Sequence, residues 1–433
     1  MTEIPASLDT MLQRLEARTP QGRIELGLDR VRQVLDRQRL DFGNTRIVSV
    51  AGTNGKGSTV AFLEAIAARA GRDALAFTSP HLLRFGERFR FRSEPLPDGE
   101  IASALRAVDS ARGEIPLTWF EHVTLAAFEL AARRRPDWLI AEVGMGGRLD
   151  AVNAVAADVA VITSIGLDHQ RFLGRTRAAI GREKCGIARA DRPVIVAEKR
   201  LPRGMLDTLE AIGARVWLGG RDFDWRWRAD ELAIRIGDFR IDGISPGLAG
   251  RHQGGNAAAA AAAAQALSGL ESGCSKIADR DIAAGLERAR LDGRFQRVAR
   301  APDVIVDVAH NPAAARVLAA QLKRLPGEKV AVFGVLEDKD VTGIVRPLAG
   351  VFSHWYAAAL NVPRGLSARE LAARMDSLPV GSGPEALESV SDALAAARTA
   401  CRRQPRSPQT VVVFGSFMTV SAALVALSHP DSD

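Results

Sequence analysis

Cysteine is nearly missing: Cys185, Cys274 and Cys401 are the three in 433 residues. They are too few and too scattered for a disulfide framework or a zinc site, so a stapled secreted fold is excluded and a reducing, cytoplasmic setting is expected. Aromatic residues make up only 5%, with a single tyrosine. Lysine is almost as scarce: Lys56, Lys184, Lys199, Lys276, Lys323, Lys329 and Lys339 leave arginine as 51 of the 58 basic residues. The arginines are scattered, with no run beyond Arg133-Arg134-Arg135. Without a basic stripe interleaved with aromatics, nucleic acid is not an expected partner, and the formal charge of +7 is accounted for by a basic cleft for small anions. The uncharged stretch 411–427 has 17 residues and is broken by Gly415-Ser416. That is short for a membrane span and reads as strand, turn and buried helix, so no membrane partner is expected. The opening Met1-Thr-Glu-Ile-Pro5 has no basic segment leading into an apolar run, the mark of a secretory signal.

What is present is ordinary for a globular chain: 47% hydrophobic and 25% charged residues. A single core rarely grows past about 250–300 residues, so at least two domains are expected. Short β-branched runs at 47–51, 138–143, 159–164, 193–196, 304–308, 329–335, 355–360 and 410–414 predict strands. Alanine-rich stretches between them, such as 58–70, 120–135 and 312–325, predict helices. Such alternation predicts parallel sheets covered by helices, with the fully apolar runs buried on both faces. Residues 221–242 differ, reading as three short strands (224–228, 231–236, 239–241) of an antiparallel ribbon. The eight alanines at 257–264 predict a tightly packed helix. A Gly-containing turn near Leu291-Asp-Gly-Arg294 marks the boundary between domains 1–292 and 293–433.

The strongest local signal is Ala51-Gly-Thr-Asn-Gly-Lys-Gly-Ser-Thr59. It follows an apolar strand and opens a helix, where glycines let backbone N–H groups approach phosphate oxygens and the helix N-terminus adds positive potential. Lys56 would reach the terminal phosphates, and Ser58 or Thr59 could cap the helix or touch Mg²⁺. The spacing departs from the common nucleotide loop, because Gly57 separates Lys56 from Ser58. Glu142 lies at the end of a predicted strand, where ligands collect in open α/β sheets; the Asp168-His169 pair follows another strand, and Ser79 sits in a turn after 74–77.

The loop resembles that of the ATP-dependent Mur ligase superfamily, in its folylpolyglutamate synthase/dihydrofolate synthase branch. Further blocks follow in the same order: Thr78-Ser-Pro-His-Leu82 with Glu87-Arg88; Thr118-Trp-Phe-Glu-His122; Glu142-Val-Gly-Met-Gly-Gly-Arg-Leu-Asp-Ala-Val-Asn153; Ile165-Gly-Leu-Asp-His169; and Glu183-Lys-Cys-Gly-Ile187. His252-Gln with Asn256, Gly293-Arg294, Asp307-Val-Ala-His-Asn-Pro312 and Phe414-Gly-Ser416 complete them, and residues 19–30 resemble the family's opening segment.

The resemblance implies a P-loop ATPase-like first domain with a mostly parallel sheet plus a small ribbon, and a smaller Rossmann-like α/β second domain. It implies ATP held by Gly52, Thr53, Asn54, Gly55, Lys56, Gly57, Ser58 and Thr59, with Asn256 and Arg294 at the nucleotide and Asp307 and His310 on its ribose and phosphate side. It assigns Ser58, Ser79, Glu142 and His169 to two magnesium ions, and lets Lys184 carry a carbamate that supports the second; an ordinary lysine paired with Glu183 is the alternative. Arg88 and Ser416 match positions near the incoming glutamate, while Phe120, Glu121 and His122 could line the pterin side. Locally, capping of the helix that starts at Pro312 is the alternative reading of Asp307. Lys56, Lys184, His169 and His310 are the expected catalytic groups. The implied reaction joins L-glutamate to dihydropteroate and to reduced folates through an acyl phosphate, in a monomer. A synthase acting on reduced folates alone, a peptidoglycan-precursor ligase, and a non-catalytic nucleotide-binding module are the rivals.

Overall fold

A computed structural model describes residues 7–19, 25–270, 276–380, 383–403 and 409–428. Cys274 and residues 20–24 of the opening segment lie outside them. The chain divides into two compact units: residues up to 81 together with 85–290, and residues 82–84 together with those from 291 on.

The first unit is built on an eight-stranded sheet. Its strands are β1 (Arg46–Ala51), β2 (Ala74–Phe77), β3 (Phe89–Phe91), β4 (Glu94–Pro95), β5 (Trp138–Glu142), β6 (Val159–Ile162), β7 (Pro193–Val196) and β8 (Arg215–Leu218), in the order β4-β3-β2-β5-β1-β6-β7-β8. The six strands from β2 to β8 in that order run parallel, and β3 and β4 add an antiparallel edge. β1 lies between β5 and β6, so the chain leaves it toward one side of the sheet and later returns on the other. That reversal opens a crevice beyond the carboxyl ends of β1, β5 and β6, the place where ligands bind in open α/β sheets. The apolar runs are buried as two-sided coverage requires: β2, β5, β6 and β7 have no residue outside the core. The ribbon is also as expected, formed by β9 (Phe223–Arg228), β10 (Glu231–Ile236) and β11 (Phe239–Ile244), all antiparallel.

The alanine run lies in the helix Gln253–Ser268, where Ala257 to Ala264 are all wholly buried. It packs on the helix Lys56–Arg69 that follows the glycine loop, and so does the helix Asp279–Arg288. Small residues permit this closeness. A Cβ on Gly285 would stand 2.6 Å from the Cα of Ile66 and 2.7 Å from its nitrogen. Gly285→Ala should therefore destabilise. Helix propensity would add about 1 kcal/mol, but pressing on backbone costs about 1–3 kcal/mol, so the net is a loss of about 1 kcal/mol, read as a lower urea midpoint at unchanged slope.

The second unit holds a six-stranded sheet ordered β12-β13-β17-β14-β15-β16. Its strands are β12 (Gln296–Ala299), β13 (Asp303–Asp307), β14 (Glu328–Phe333), β15 (His354–Ala358), β16 (Glu385–Leu387) and β17 (Gln409–Phe414), parallel except for the edge strand β12. The helix after Gly415-Ser416 runs Phe417–Ser428, but it is not the buried helix its composition suggests. Only Thr419, Val420 and Ala423 are buried, and Val425 is 49% exposed. It rests on β13, β17 and the helix Val390–Arg403, which together leave most of its side chains only partly buried. Among the described residues no helix is long and apolar enough to cross a membrane.

Candidate active site

The glycine loop joins β1 to the helix Lys56–Arg69, with Gly55 as its N-cap at φ +91°. The loop is fastened from below. Thr53 N–H donates to the Ser164 carbonyl (2.7 Å), Asn54 N–H to Ser164 Oγ (3.1 Å), and Thr53 Oγ1 to the Gly166 carbonyl (3.1 Å). Gly52 and Gly55 cannot be replaced without displacing neighbours: a Cβ would lie 1.8 Å from Thr163 Oγ1 in the first case and 2.3 Å from Asn256 Oδ1 in the second. The first-turn N–H groups of the helix, which lack intrahelical acceptors, face the crevice where a phosphate would sit. Lys56 Nζ donates to the Gly52 carbonyl at 3.2 Å and faces Glu142 Oε1 at 3.9 Å.

Asn256 sits in this same unit, on the helix Gln253–Ser268. Its Nδ2 donates to Gln253 Oε1 (2.8 Å), and Gln253 Nε2 donates to Ser58 Oγ (3.3 Å). The ribbon steadies this helix start, with Trp227 Nε1 donating to the Arg251 carbonyl at 2.9 Å. The Ser58 hydroxyl is therefore held from the helix start, while Thr59 is wholly buried.

Beside the loop lies a cavity of about 240 Å³. Ser79, Arg88, Phe120, Glu121 and His169 line it, together with Trp119 and Asp150. Arg88 is fully buried, its guanidinium 4.8 Å from the Trp119 ring centre and its Nε donating to His81 Nδ1 at 2.8 Å. Burial pulls its pKa down to about 9, against the opposing pull of Glu142 and Glu87, so it keeps its charge near neutrality. Glu121 has two structural partners: it closes a capping box with Thr118 and pairs with Arg30 at 2.8 Å. His169 takes a left-handed backbone (φ +49°) at the start of the helix Gln170–Leu173, its N–H donating to Asp168.

His122 is a correction. It does not line the cavity: it is 1% exposed and its Nε2 meets the Leu105 carbonyl at 3.0 Å on the other side of its helix. Burial drives its pKa to about 4, so the ring is neutral and serves as packing. The sequence reading also missed Asp150 and Arg30. Asp150 takes N–H bonds from Met145 (2.8 Å) and Val152 (3.0 Å), yet burial raises its pKa to about 6. It lay in plain view within the Glu142–Asn153 block.

Divalent-metal donors are present. The Glu142 carboxylate, buried at the end of β5, takes the Ser79 N–H at 3.3 Å. Among the described residues no three His, Cys, Asp or Glu side chains converge. Hard oxygens from one carboxylate and hydroxyls suit Mg²⁺, which fills its shell with water and substrate phosphates instead of a protein cage. Lys184 is 3% exposed, and burial with the like charge of Lys56 lowers its pKa to about 7. Glu183 is not its partner; it pairs with Arg148 at 3.0 Å.

In the second unit, Arg294 lies 5.4 Å from the Phe417 ring centre and the His310 ring 6.3 Å from it. Asp307, at the carboxyl end of β13, accepts N–H bonds from Phe295 (2.9 Å) and Ala309 (2.8 Å), and burial raises its pKa. It is not a helix cap; Asn311 takes that role, accepting from Ala314 N–H at 3.0 Å. The Ser416 hydroxyl accepts from Thr419 N–H at 3.0 Å and is only 5% exposed, so it helps start the last helix.

Comparison with known proteins covers nearly the whole chain. Residues 50–264 match the Mur ligase middle domain and 293–417 the Mur ligase glutamate ligase domain. The dihydrofolate synthase/folylpolyglutamate synthase of Escherichia coli is 40% identical, covering 96% of this chain and 94% of that protein. Its counterpart in Mycobacterium tuberculosis is 30% identical over 96% of this chain and 93% of its own length. A solved structure of E. coli FolC in complex with DHPP and ADP has a TM-score of 0.89 at 38% identity and covers 99% of each chain. A bifunctional folylpolyglutamate synthase/dihydrofolate synthase solved with Mn, AMPPNP and L-glutamate has a TM-score of 0.87 at 37% identity and covers 98% of each. The chain belongs to the Mur ligase superfamily, in its dihydrofolate synthase/folylpolyglutamate synthase family.

Proposed function

We propose that this chain uses ATP to ligate L-glutamate to dihydropteroate, giving dihydrofolate, and to reduced folates, giving polyglutamates, in the cytoplasm where nucleotide and folate are available. The observation that carries the reading is the glycine loop with its Lys56–Glu142 pair (3.9 Å) in one unit with a cavity lined by Arg88 and Phe120. A phosphate cradle is thereby combined with a mostly apolar slot for a flat acid. Residues 1–292 form the nucleotide-binding domain and 293–433 the glutamate-ligase domain in this reading, which the two family matches support.

A carboxylate is a poor electrophile because oxide is a poor leaving group. Transfer of the γ-phosphoryl group converts it to an acyl phosphate, and the glutamate amine then displaces phosphate. Lys56 and the first-turn amides neutralise charge on the transferring group. Glu142, Ser58, Ser79 and His169 would hold Mg²⁺, which supplies further neutralisation of the phosphates when bound. Arg88 orients the incoming glutamate, Phe120 walls the pterin side and Asn256 contacts the nucleotide, while Arg294, Asp307 and His310 are the nucleotide-contacting groups that the second unit offers. The cavity must exclude water so that the mixed anhydride is not hydrolysed.

One relative, 29% identical, is a folylpolyglutamate synthase without the dihydrofolate synthase name. The test is therefore a paired assay of the purified protein with ATP, Mg²⁺ and glutamate, using dihydropteroate or tetrahydrofolate as acceptor. New amide and released phosphate with both support the reading; product with tetrahydrofolate alone narrows it, and product with neither overturns it.

Lys184 is proposed to carry a carbamate. Its pKa of about 7 leaves much of the amine neutral and nucleophilic toward CO₂ at neutral pH, and protonated below it. Intact-mass measurement in CO₂-rich buffer should show one added CO₂ above about pH 7, fading under acid and absent in Lys184→Arg. Metal affinity unaltered by that substitution counts against the assignment.

A further inference from the structure

Arg90 does not line the cavity, yet all three nitrogens of its guanidinium are hydrogen-bonded. It leaves β3 and is only 16% exposed. Its Nε donates to Glu64 Oε1 (3.1 Å) and Oε2 (3.2 Å), and its Nη2 to Glu64 Oε2 (2.5 Å). Glu64 is 4% exposed and lies on the helix Lys56–Arg69. The remaining arm, Nη1, points the other way, to Thr78 Oγ1 (3.0 Å) and the Glu87 carbonyl (2.8 Å).

Those last two acceptors are the two ends of one loop. Thr78 begins it and Glu87 precedes Arg88; Thr78 N–H donates to the Arg88 carbonyl at 3.0 Å, closing its neck. The Ser79 end has a separate tether, its N–H on Glu142 at 3.3 Å. At the Arg88 end the backbone is gripped by the Arg90 arm, and the Arg88 guanidinium then reaches His81 and Trp119. A planar fork can bond a carboxylate on one edge and two neutral oxygens on the other; a lysine ammonium cannot span both.

We propose that Arg90 is a positioning residue for glutamate capture: it locks the backbone that carries Arg88 to the helix that carries the phosphate loop. This rests on the reading above, in which Arg88 meets the incoming glutamate. The ligand affected is the amino acid, because the nucleotide loop and the Ser79–Glu142 tether are built without the Nη1 arm.

The test uses the full-length protein and two variants. Arg90→Lys keeps the charge beside Glu64 and loses the arm. Thr78→Val keeps the Arg90–Glu64 pair whole and removes one acceptor, together with the hydroxyl's own long bond to the Glu87 carbonyl (3.4 Å), at nearly constant shape, which covers the case of Arg90→Lys failing to fold. With ATP, Mg²⁺ and dihydropteroate saturating, KM for glutamate should rise about tenfold in Arg90→Lys and about threefold in Thr78→Val. ADP affinity by calorimetry should stay within about twofold of wild type in both, which a merely structural role would not predict. A lowered melting temperature with unchanged KM for glutamate overturns the inference, as does a parallel loss of ADP affinity. Wild-type protein that makes no amide in the same assay overturns the proposed function itself, so the two failures are told apart.

Discussion

Lys56→Ala should lower ligation by at least about a hundredfold in kcat, the usual cost of removing one donor aimed at developing charge. The fold should survive. The ammonium bonds its own loop carbonyls at 3.2 and 3.5 Å and meets Glu142 only at 3.9 Å, so little native-state energy depends on it. Its charge also lowers the pKa of Lys184, and removing it relieves that repulsion. A urea midpoint near that of wild type, measured beside phosphate release, checks both halves. His169 should behave alike, with one precaution. Its backbone is left-handed at φ +49°, where alanine is strained, so a loss in His169→Ala confounds chemistry with conformation. His169→Asn tolerates that φ and removes the imidazole, and it should be as inactive as the alanine variant. Substantial ligation in both the Lys56 and the His169 variants contradicts the site.

Much of this was legible in the sequence because it is written in backbone demands. Gly52 and Gly55 stand where a Cβ would strike Thr163 and Asn256, so the loop declares itself through the residues it cannot use. Strands such as 159–162 are apolar throughout because both faces are covered, and the period-two pattern of β10 marks a ribbon with one wet face. His122 shows where such reading fails. Phe120, Glu121 and His122 are adjacent on a helix, about 100° apart each, so three in a row cannot share a face. Phe120 and Glu121 reach the cavity and His122 turns to Leu105. The partners of Arg30, Arg90 and Gln253 escaped for another reason, although Arg30 and Gln253 stand within the family's sequence blocks. Each of the three acts through a partner distant in sequence — Glu121, Glu64 and Ser58 — and no local spacing announces such a pair. The last helix misled because composition reports how apolar a segment is and not how many neighbours it has. Phe417–Ser428 is strongly apolar, but its neighbours fully bury only Thr419, Val420 and Ala423.

The second large effect is expected at Glu142, and here activity and stability should fall together. Its carboxylate faces Lys56 at 3.9 Å, is the stronger of the two carboxylates that hold the charge on fully buried Arg88, and also acts on Arg90. Glu142→Gln is nearly isosteric and can still accept the Ser79 N–H through its amide oxygen. What it removes is charge: the metal loses its carboxylate donor, and the buried cations lose a shared counter-ion. Breaking a fully buried pair costs about 3–5 kcal/mol. The Lys56 side chain is 17% exposed and Glu87 still faces Arg88, so about 2 kcal/mol is the expected loss, against close to none for Lys56→Ala. Ligation should fall about a hundredfold or more, and Mn²⁺ affinity about tenfold or more. The double variant separates the causes. If uncompensated positive charge destabilises Glu142→Gln, then adding Lys56→Ala removes one of the repelling cations and should recover part of the urea midpoint. If the cost instead comes from disturbed packing at the end of β5, the two losses add. Partial recovery of stability without any recovery of activity is the result that joins the charge balance of this crevice to its chemistry.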